Sequence, residues 1–367
     1  MITTNISIPT LVLDEEKCRR NIRRMAEKAR KHKLKFRPHF KTHQSLEIGR
    51  WFKEEGVEAI TVSSLLMAEY FAPEWEDITV AFPVNLREMD RLNALAGKIK
   101  LNVLIESAEA VSLLNEKLTA PVGFFIKIDA GSHRTGLQPD DYTTINEILR
   151  LSSTGSLLQF KGFLSHAGHT YHAKSKEEIL NIHQQELRQM QTLKEHYVNQ
   201  WPELLLSVGD TPSCSIADDF SGMDEIRPGN FVFYDVMQWK LKACREEDIA
   251  VAVACPVAAR HPERNEIVVY GGAVHLSKDR LQQWPEGDIY GFVALPENNG
   301  WGKLINDLSV TRLSQEHGIV SVPEQFFQEI HIGDLLFILP VHSCLTADMY
   351  CSYTATNGRK IKKTRSI

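Results

Sequence analysis

Apolar positions follow two rhythms along the chain. From about residue 34 to residue 233, short apolar runs alternate with stretches whose apolar residues recur every three or four positions. Strand-like runs fall at Leu34–Phe36, Ala59–Val62, Ile78–Phe82, Leu101–Ile105, Gly123–Ile128, Leu158–Leu164, Leu204–Val208 and Ile226–Phe233. Helical spacing fills the gaps at Gln44–Lys53, Leu65–Phe71, Leu86–Leu95, Ala108–Leu118, Asp141–Leu151, Lys176–Val198 and, weakly, Cys214–Asp218. Before them lies an extended segment, Ile8–Leu13, and Asp14 is placed to cap a helix reaching about Lys31. Eight strands with intervening helices match the closing number of a (β/α)8 TIM barrel. An open doubly wound sheet competes, but no Gly-x-Gly-x-x-Gly follows an early strand.

After about Lys242 the texture changes. Val251–Ala258, Glu266–Tyr270, Ile289–Leu295, Leu308–Leu313 and Leu335–Leu339 are short strand-like runs between Pro, Gly, Asn and charged turns. The expected organisation is an α/β barrel over 14–242 and a mainly antiparallel β domain over 243–367, which also takes in residues 1–13.

Composition narrows the function classes. The 367 residues are 43% apolar and 24% charged, with net charge -5. That is ordinary for a globular chain, and no basic block in the body of the chain points to nucleic acid. No run approaches the roughly 20 apolar residues of a membrane span. Cys18, Cys214, Cys244, Cys255, Cys344 and Cys351 are scattered, which reads as reduced thiols in a cytoplasmic protein. The basic residues Arg359, Lys360, Lys362, Lys363 and Arg365 read as a solvated, frayed terminus.

Polar clusters follow the barrel strands, at the end where barrel enzymes build their sites. In Arg37-Pro-His-Phe-Lys-Thr-His43, Lys41 falls on a strand-to-helix loop between two histidines. A lysine there can form a Schiff base with an aldehyde cofactor if its amine is freed. Taken by themselves, these residues read more simply as a surface lysine. Lys127-Ile-Asp-Ala-Gly-Ser-His-Arg-Thr-Gly136 sets Asp129 near Arg134, either to reach a cofactor oxygen or to fix the loop as an ion pair. Ser165-His-Ala-Gly-His-Thr-Tyr171 offers His166, His169 and Tyr171 for acid–base work or ring contacts, or is a polar loop. Ser207-Val-Gly-Asp-Thr-Pro-Ser213 permits close backbone approach at Gly209, with the Thr211 hydroxyl and loop amides available to a phosphate. Gly229 and Asn230, after Arg227-Pro, would complete such a cup. In Leu339-Pro-Val-His-Ser-Cys-Leu-Thr346, His342 and Cys344 share a face if the segment is a strand. Imidazole and thiolate at that spacing form half of a zinc site, or a buried thiol beside a satisfied histidine.

These motifs together resemble the D-serine dehydratase and D-threonine aldolase group, fold-type III pyridoxal phosphate (PLP) enzymes with an alanine racemase-like barrel. The likeness runs from Ile8-Pro-Thr to His342-Ser-Cys. Arg-Pro-His-x-Lys-Thr-His is similar to the family's lysine motif. The others are similar to its Asp-x-Gly-x-x-Arg-x-Gly, His-x-Gly-x-x-Tyr, Gly-Asp/Gly-Thr-Pro and Arg-Pro-Gly-x-Tyr/Phe motifs. Two departures stand out. Leu164 occupies a place where some dehydratases carry a tyrosine, and Tyr270-Gly-Gly-Ala-Val-His-Leu-Ser-Lys-Asp279 differs from the usual Asp-Ala/Gly-Gly version.

The resemblance implies PLP on Lys41, with Arg134, His166, His169, Tyr171, Gly209, Thr211, Gly229 and Asn230 around it. It implies Zn2+ on His342 and Cys344, because the dehydratase branch carries His-x-Cys where the aldolase branch carries His-x-Asp. The implied reaction is β-elimination of a D-3-hydroxyamino acid, D-serine to pyruvate and ammonia, in a cytoplasmic homodimer. Retro-aldol cleavage of D-threonine or D-3-hydroxyaspartate is the alternative on the same site. Racemisation needs a second base, for which Tyr290 and Tyr350 are available. A PLP carrier without turnover fits less well, because such relatives are single barrels.

Overall fold

The computed structural model describes residues 6–282, 287–298 and 300–364. Strand β1 (Thr10–Leu13) and helix α1 (Glu15–Lys31) are followed by β2 (Lys35–Phe36), α2 (Leu46–Glu54), β3 (Ala59–Val62), α3 (Leu65–Phe71) and β4 (Asp77–Pro83). The alternation continues with α4 (Met89–Ala96), β5 (Lys100–Ile105), α5 (Ala108–Lys117), β6 (Val122–Ile128), α6 (Tyr142–Ser152) and β7 (Leu158–Ser165). It ends with α7 (Lys176–Tyr197), β8 (Leu205–Val208), α8 (Thr211–Ile216) and β9 (Glu225–Ile226).

Helix starts are written locally. Asp14 Oδ1 accepts the amide of Lys17 at 3.0 Å. Ser64, Ser107, Asp141 and Ser175 cap α3, α5, α6 and α7 in the same way. Strands β2 to β9 pair in parallel in the order β2-β9-β8-β7-β6-β5-β4-β3. The ring is closed by a bridge between His39 and Thr61, with Phe40 N to Thr61 O at 2.8 Å. Strand β6 is buried at every position, as expected for a strand covered on both faces. Leu164 packs with Leu104 and Phe125 in an apolar layer of this unit.

The remaining elements are α9 (Val236–Lys240), β10 (Val251–His261), β11 (Glu266–Tyr270), α10 (Ala273–Leu276), β12 (Gly291–Glu297), β13 (Gly300–Leu313), β14 (His317–Ser321), β15 (Leu335–Pro340), α11 (Ser343–Asp348), β16 (Ser352–Ala355) and β17 (Lys360–Lys362). Their sheet runs β11-β14-β13-β12-β15-β10-β1-β16-β17, and a further β10–β11 pairing closes six of these strands into a ring. All pairs are antiparallel except β1 with β16. Closure leaves fewer free edges to manage.

The chain divides into two compact units. One is Arg23–Lys41 with Gly49–Gly229; the other is Met1–Ile22, Thr42–Ile48 and Asn230–Ile367. The lysine loop and the start of α2 are thus shared between units that a simple cut near residue 242 keeps apart.

Two expectations are corrected. The strand predicted over Ile226–Phe233 stops at Ile226, because Pro228 and Gly229 break it and Asn230–Val232 forms a 3-10 turn. Of the basic tail, Arg359, Lys360, Lys362 and Lys363 are built into the fold, and Arg365 lies outside the described residues. Lys360 and Lys362 flank the buried Ile361 in β17, and Lys363 is itself buried, with Nζ donating to Ala347 O. Arg359 pairs with Glu15 at 2.8 Å and also with Glu47.

Candidate active site

In the barrel unit the lysine motif divides its labour residue by residue. Arg37 is buried, with Nε 2.6 Å from Glu225 Oε2 and Nη1 2.6 Å from Asp77 Oδ1. Phe40 is buried among Phe52, Phe71 and Trp75, with ring centroids 5.0 to 5.1 Å away. These two residues anchor the loop that carries His39 and Lys41. The amide of Lys41 donates to His39 Nδ1 at 3.3 Å, and the amide of His39 donates to Pro228 O at 2.9 Å, beside Gly229.

Positive charge converges here. Burial pushes His39 well below its ordinary value, and Lys41, Arg227, His166 and Arg134 push it further. Burial lowers His166 likewise, with Lys41, Arg134 and Arg227 adding to it, while Nδ1 contacts Gly209 O at 2.8 Å. His166 and Gly209 are in contact, and the charges of Lys41 and Arg134 are felt at His166. His39 and Arg227 join them, although no role was assigned to either from sequence. Both sat inside quoted motifs, so the signal was present.

The flanking loops are fixed by their own polar groups. Asp129 Oδ1 accepts the amides of Gly131, Ser132 and His133 at 2.9 to 3.1 Å. Burial pulls its carboxyl up, but these amides hold it below the ordinary range. Its side-chain neighbour is the His133 ring, with Nδ1 3.3 Å from Oδ2, in place of the Arg134 pairing weighed above. Gly131, at φ +112°, lies close enough that an added Cβ would meet the His169 ring at 3.4 Å. Burial lowers His169, and its Nδ1 is buried without a hydrogen-bond partner. Tyr171 sits in the 3-10 turn Gly168–His172. Gly209, at φ +142°, presses on Arg227; an added Cβ would lie 2.6 Å from its backbone nitrogen. Thr211 follows, buried, at the first position of α8.

Beneath lies a buried ionic layer that sequence reasoning missed. Arg227 Nε donates to Ser207 Oγ at 2.6 Å, which donates to Glu225 Oε1 at 2.7 Å. Burial pushes Lys127 down to about 8, with Arg227 adding to it. Glu186 accepts from Ser165 Oγ at 2.6 Å and is pushed up by burial and by Asp210.

In the β unit, His342 immediately precedes α11 and Cys344 is the helix's second residue. Strand β15 has already ended at Pro340, so the same-face argument from strand periodicity does not apply. The first turn of a short helix brings the pair together instead. His342 Nδ1 lies 2.7 Å from Asp279 Oδ2, and the Cys344 thiol is within hydrogen-bonding reach of the ring. Thr346 Oγ1 donates to Leu276 O at 2.9 Å, tying α11 to the turn that presents Asp279. In that turn His275 Nδ1 accepts the amide of Gly272 at 3.3 Å, which gives His275 a structural task. The side chain of Asn230 is also here: its Nδ2 donates to Asp235 Oδ2 at 2.6 Å and Ser343 Oγ at 3.0 Å. His43 is buried in this unit, accepting from Ser45 N, and its carbonyl accepts from Tyr353 Oη at 2.8 Å.

Comparisons with known proteins place the chain in a family. The model for the alanine racemase N-terminal domain matches residues 13–236, and that for a putative serine dehydratase domain matches 250–356. The D-serine dehydratase of Dictyostelium discoideum is 32% identical over 384 residues, covering 96% of this chain and 94% of that one. The chain belongs to the D-serine dehydratase family. It is an enzyme of the lyase type, of the PLP dehydratase and aldolase kind. The D-threo-3-hydroxyaspartate dehydratase of Delftia sp. (strain HT23) is 28% identical and covers 95% of this chain and 94% of its own. A D-threo-3-hydroxyaspartate dehydratase solved as a cysteine-to-alanine mutant in the metal-free form superposes with TM-score 0.92, at 26% identity and 99% coverage of both chains.

The residues fit the cofactor this family implies. Lys41, Arg134 and Arg227 act together on His39 and His166, an excess of positive charge suited to the phosphate and ring oxygen of PLP. They also fit a borderline-soft metal. His342 has one ring nitrogen engaged by Asp279, which leaves the other for a metal beside a thiol donor. Among the described residues no group of three or more His, Cys, Asp and Glu side chains is arranged to hold a metal, so His342 and Cys344 stand as a pair.

Proposed function

We propose that this chain is a PLP- and zinc-dependent dehydratase that eliminates the 3-hydroxyl of a D-3-hydroxyamino acid, with D-serine as the first substrate to test. Lys41 would hold the cofactor's aldehyde carbon and, once released, take the proton from the substrate's Cα. Arg134, His166, His169 and Tyr171 are the proposed ring contacts; Gly209, Thr211, Gly229 and Asn230 are the proposed phosphate cup. Asn230 has its side chain engaged elsewhere, so its contribution there would be its backbone amide. When bound, PLP supplies the electron sink for the negative charge left by deprotonation. His342 and Cys344 would hold Zn2+, whose Lewis acidity makes the 3-hydroxyl a better leaving group.

The observation that carries the reading is a thiol, Cys344, in reach of an imidazole whose far nitrogen is anchored by Asp279. A thiolate selects a softer metal than a carboxylate at that place would. Homodimerisation and a cytoplasmic location belong to the same proposal. No disulfide joins any of the six cysteines, which accords with a reducing compartment.

The test is a product assay. Purified protein with PLP is given D-serine with and without a chelator, and pyruvate is followed. Pyruvate that vanishes on chelation and returns with zinc is the expected result. Glycine and an aldehyde from D-threonine, without pyruvate from D-serine, would replace this reading with the aldolase.

A further inference from the structure

Cys344 has a built surround of its own. Thr42 is fully buried, and its Oγ1 lies 3.1 Å from Cys344 Sγ. Asn230 Nδ2 lies 3.5 Å from the same sulfur. Asn230 is itself held by Asp235, whose two carboxylate oxygens accept the amides of Gln238 and Ser343, each at 2.9 Å. Asp235 therefore ties together the first turns of α9 and α11 and fixes the amide that faces the sulfur.

The chemistry of the two partners is one-sided. An amide NH2 only donates, and a hydroxyl either donates or accepts. A metal-bound thiolate has no proton to give, so toward it the Thr42 hydroxyl must donate. A hydroxyl donating to the sulfur holds its direction and draws off part of its charge. Outer partners of this kind orient ligands and tune the metal.

We propose that Thr42 is a positioning residue for Cys344, its hydroxyl donating to the metal-bound sulfur. The proposal rests on the metal reading given above and extends it to a residue of the lysine motif, the one that directly follows Lys41. A structural role alone, in which Thr42 fills its site, needs the methyl and the volume but not the hydroxyl.

Cobalt separates these. Metal-free protein carrying PLP is loaded with Co2+, and the thiolate-to-cobalt charge-transfer band is read as a difference spectrum against the metal-free form. The Co2+ dissociation constant is measured by competition with a chelator. Wild type should show the band and Cys344→Ala should lack it. Thr42→Val, close in volume, should shift the band to lower energy, because the sulfur lone pair loses a donor. It should also weaken Co2+ binding by about 10-fold or more. Thr42→Ser should restore both, and Thr42→Ala gives the same comparison if the valine variant does not fold.

A Thr42→Val protein with the wild-type band and affinity overturns the proposal. So does a Thr42→Ser protein that behaves like Thr42→Val. Absence of the band in wild type would instead overturn the metal reading, and this proposal with it.

Discussion

His342 and Asp279 form a carboxylate–imidazole pair, Nδ1 to Oδ2 at 2.7 Å. The carboxylate fixes which ring nitrogen carries the hydrogen and how the ring is turned. Asp279→Ala is expected to weaken zinc binding by about 10- to 100-fold while leaving PLP attachment intact. Chelator competition measures the first, and visible absorbance of the cofactor the second. Unchanged zinc affinity would remove Asp279 from the site.

Lys41→Ala should abolish turnover and covalent trapping of PLP by borohydride, with the melting temperature close to wild type. Lys41 is exposed, and the loop is anchored by its neighbours Arg37 and Phe40. Residual elimination at wild-type rate would assign the base elsewhere.

Cys344→Ala should lose zinc and D-serine elimination together, and keep covalent PLP. Metal analysis alongside the pyruvate assay decides this. Turnover that survives both the substitution and a chelator would end the metal role.

Phe40→Ala should destabilise the barrel unit by about 3–5 kcal/mol, the usual cost of deleting a buried phenyl ring. Phe40 is fully buried against Phe52, Phe71 and Trp75. Denaturant unfolding checks the size, and a loss under about 1 kcal/mol would mean the cluster collapses into the space.

The Asp77–Arg37 pair gives a pH dependence. Burial pulls the Asp77 carboxyl up, but the hydrogen bond and charge of Arg37 hold it at about 2, against an ordinary 3.8. A depressed carboxyl contributes stability that is complete above its unfolded value and is lost as pH falls through its folded one. Wild type should therefore lose more stability between pH 4 and pH 2 than Asp77→Asn does. Parallel acid-unfolding curves would contradict this.

The barrel was legible because its signals are local. Runs such as Gly123–Ile128 are buried on both faces, and caps such as Ser64 and Ser175 stand where the helices begin. The lysine loop, the glycine loops and the His–Cys pair were legible as motifs. What was not legible depends on distant partners. Asp279 meets His342 across 63 positions, and Thr42 meets Cys344 across 302. Lys360-Ile-Lys362 read as a charge run, although it is a period-two strand around the buried Ile361. The strand at Ile226 was overextended because apolar Phe231 to Phe233 are buried as a turn, not as an extended segment.

The placing of β1 constrains how the chain is made. Thr10 pairs with Ala254 and Val12 with Thr354, so β1 has partners that leave the ribosome long after it does. Strands β2 to β9 can find one another while β1 still waits as an unpaired apolar segment. The nine-strand sheet can therefore be completed only once β16 has been made, and a nascent chain stalled before Ser352 carries Val12 and Leu13 without their β16 neighbours. Without β16 and β17 the chain would keep a complete lysine motif and His–Cys pair but leave an open seam beside β1.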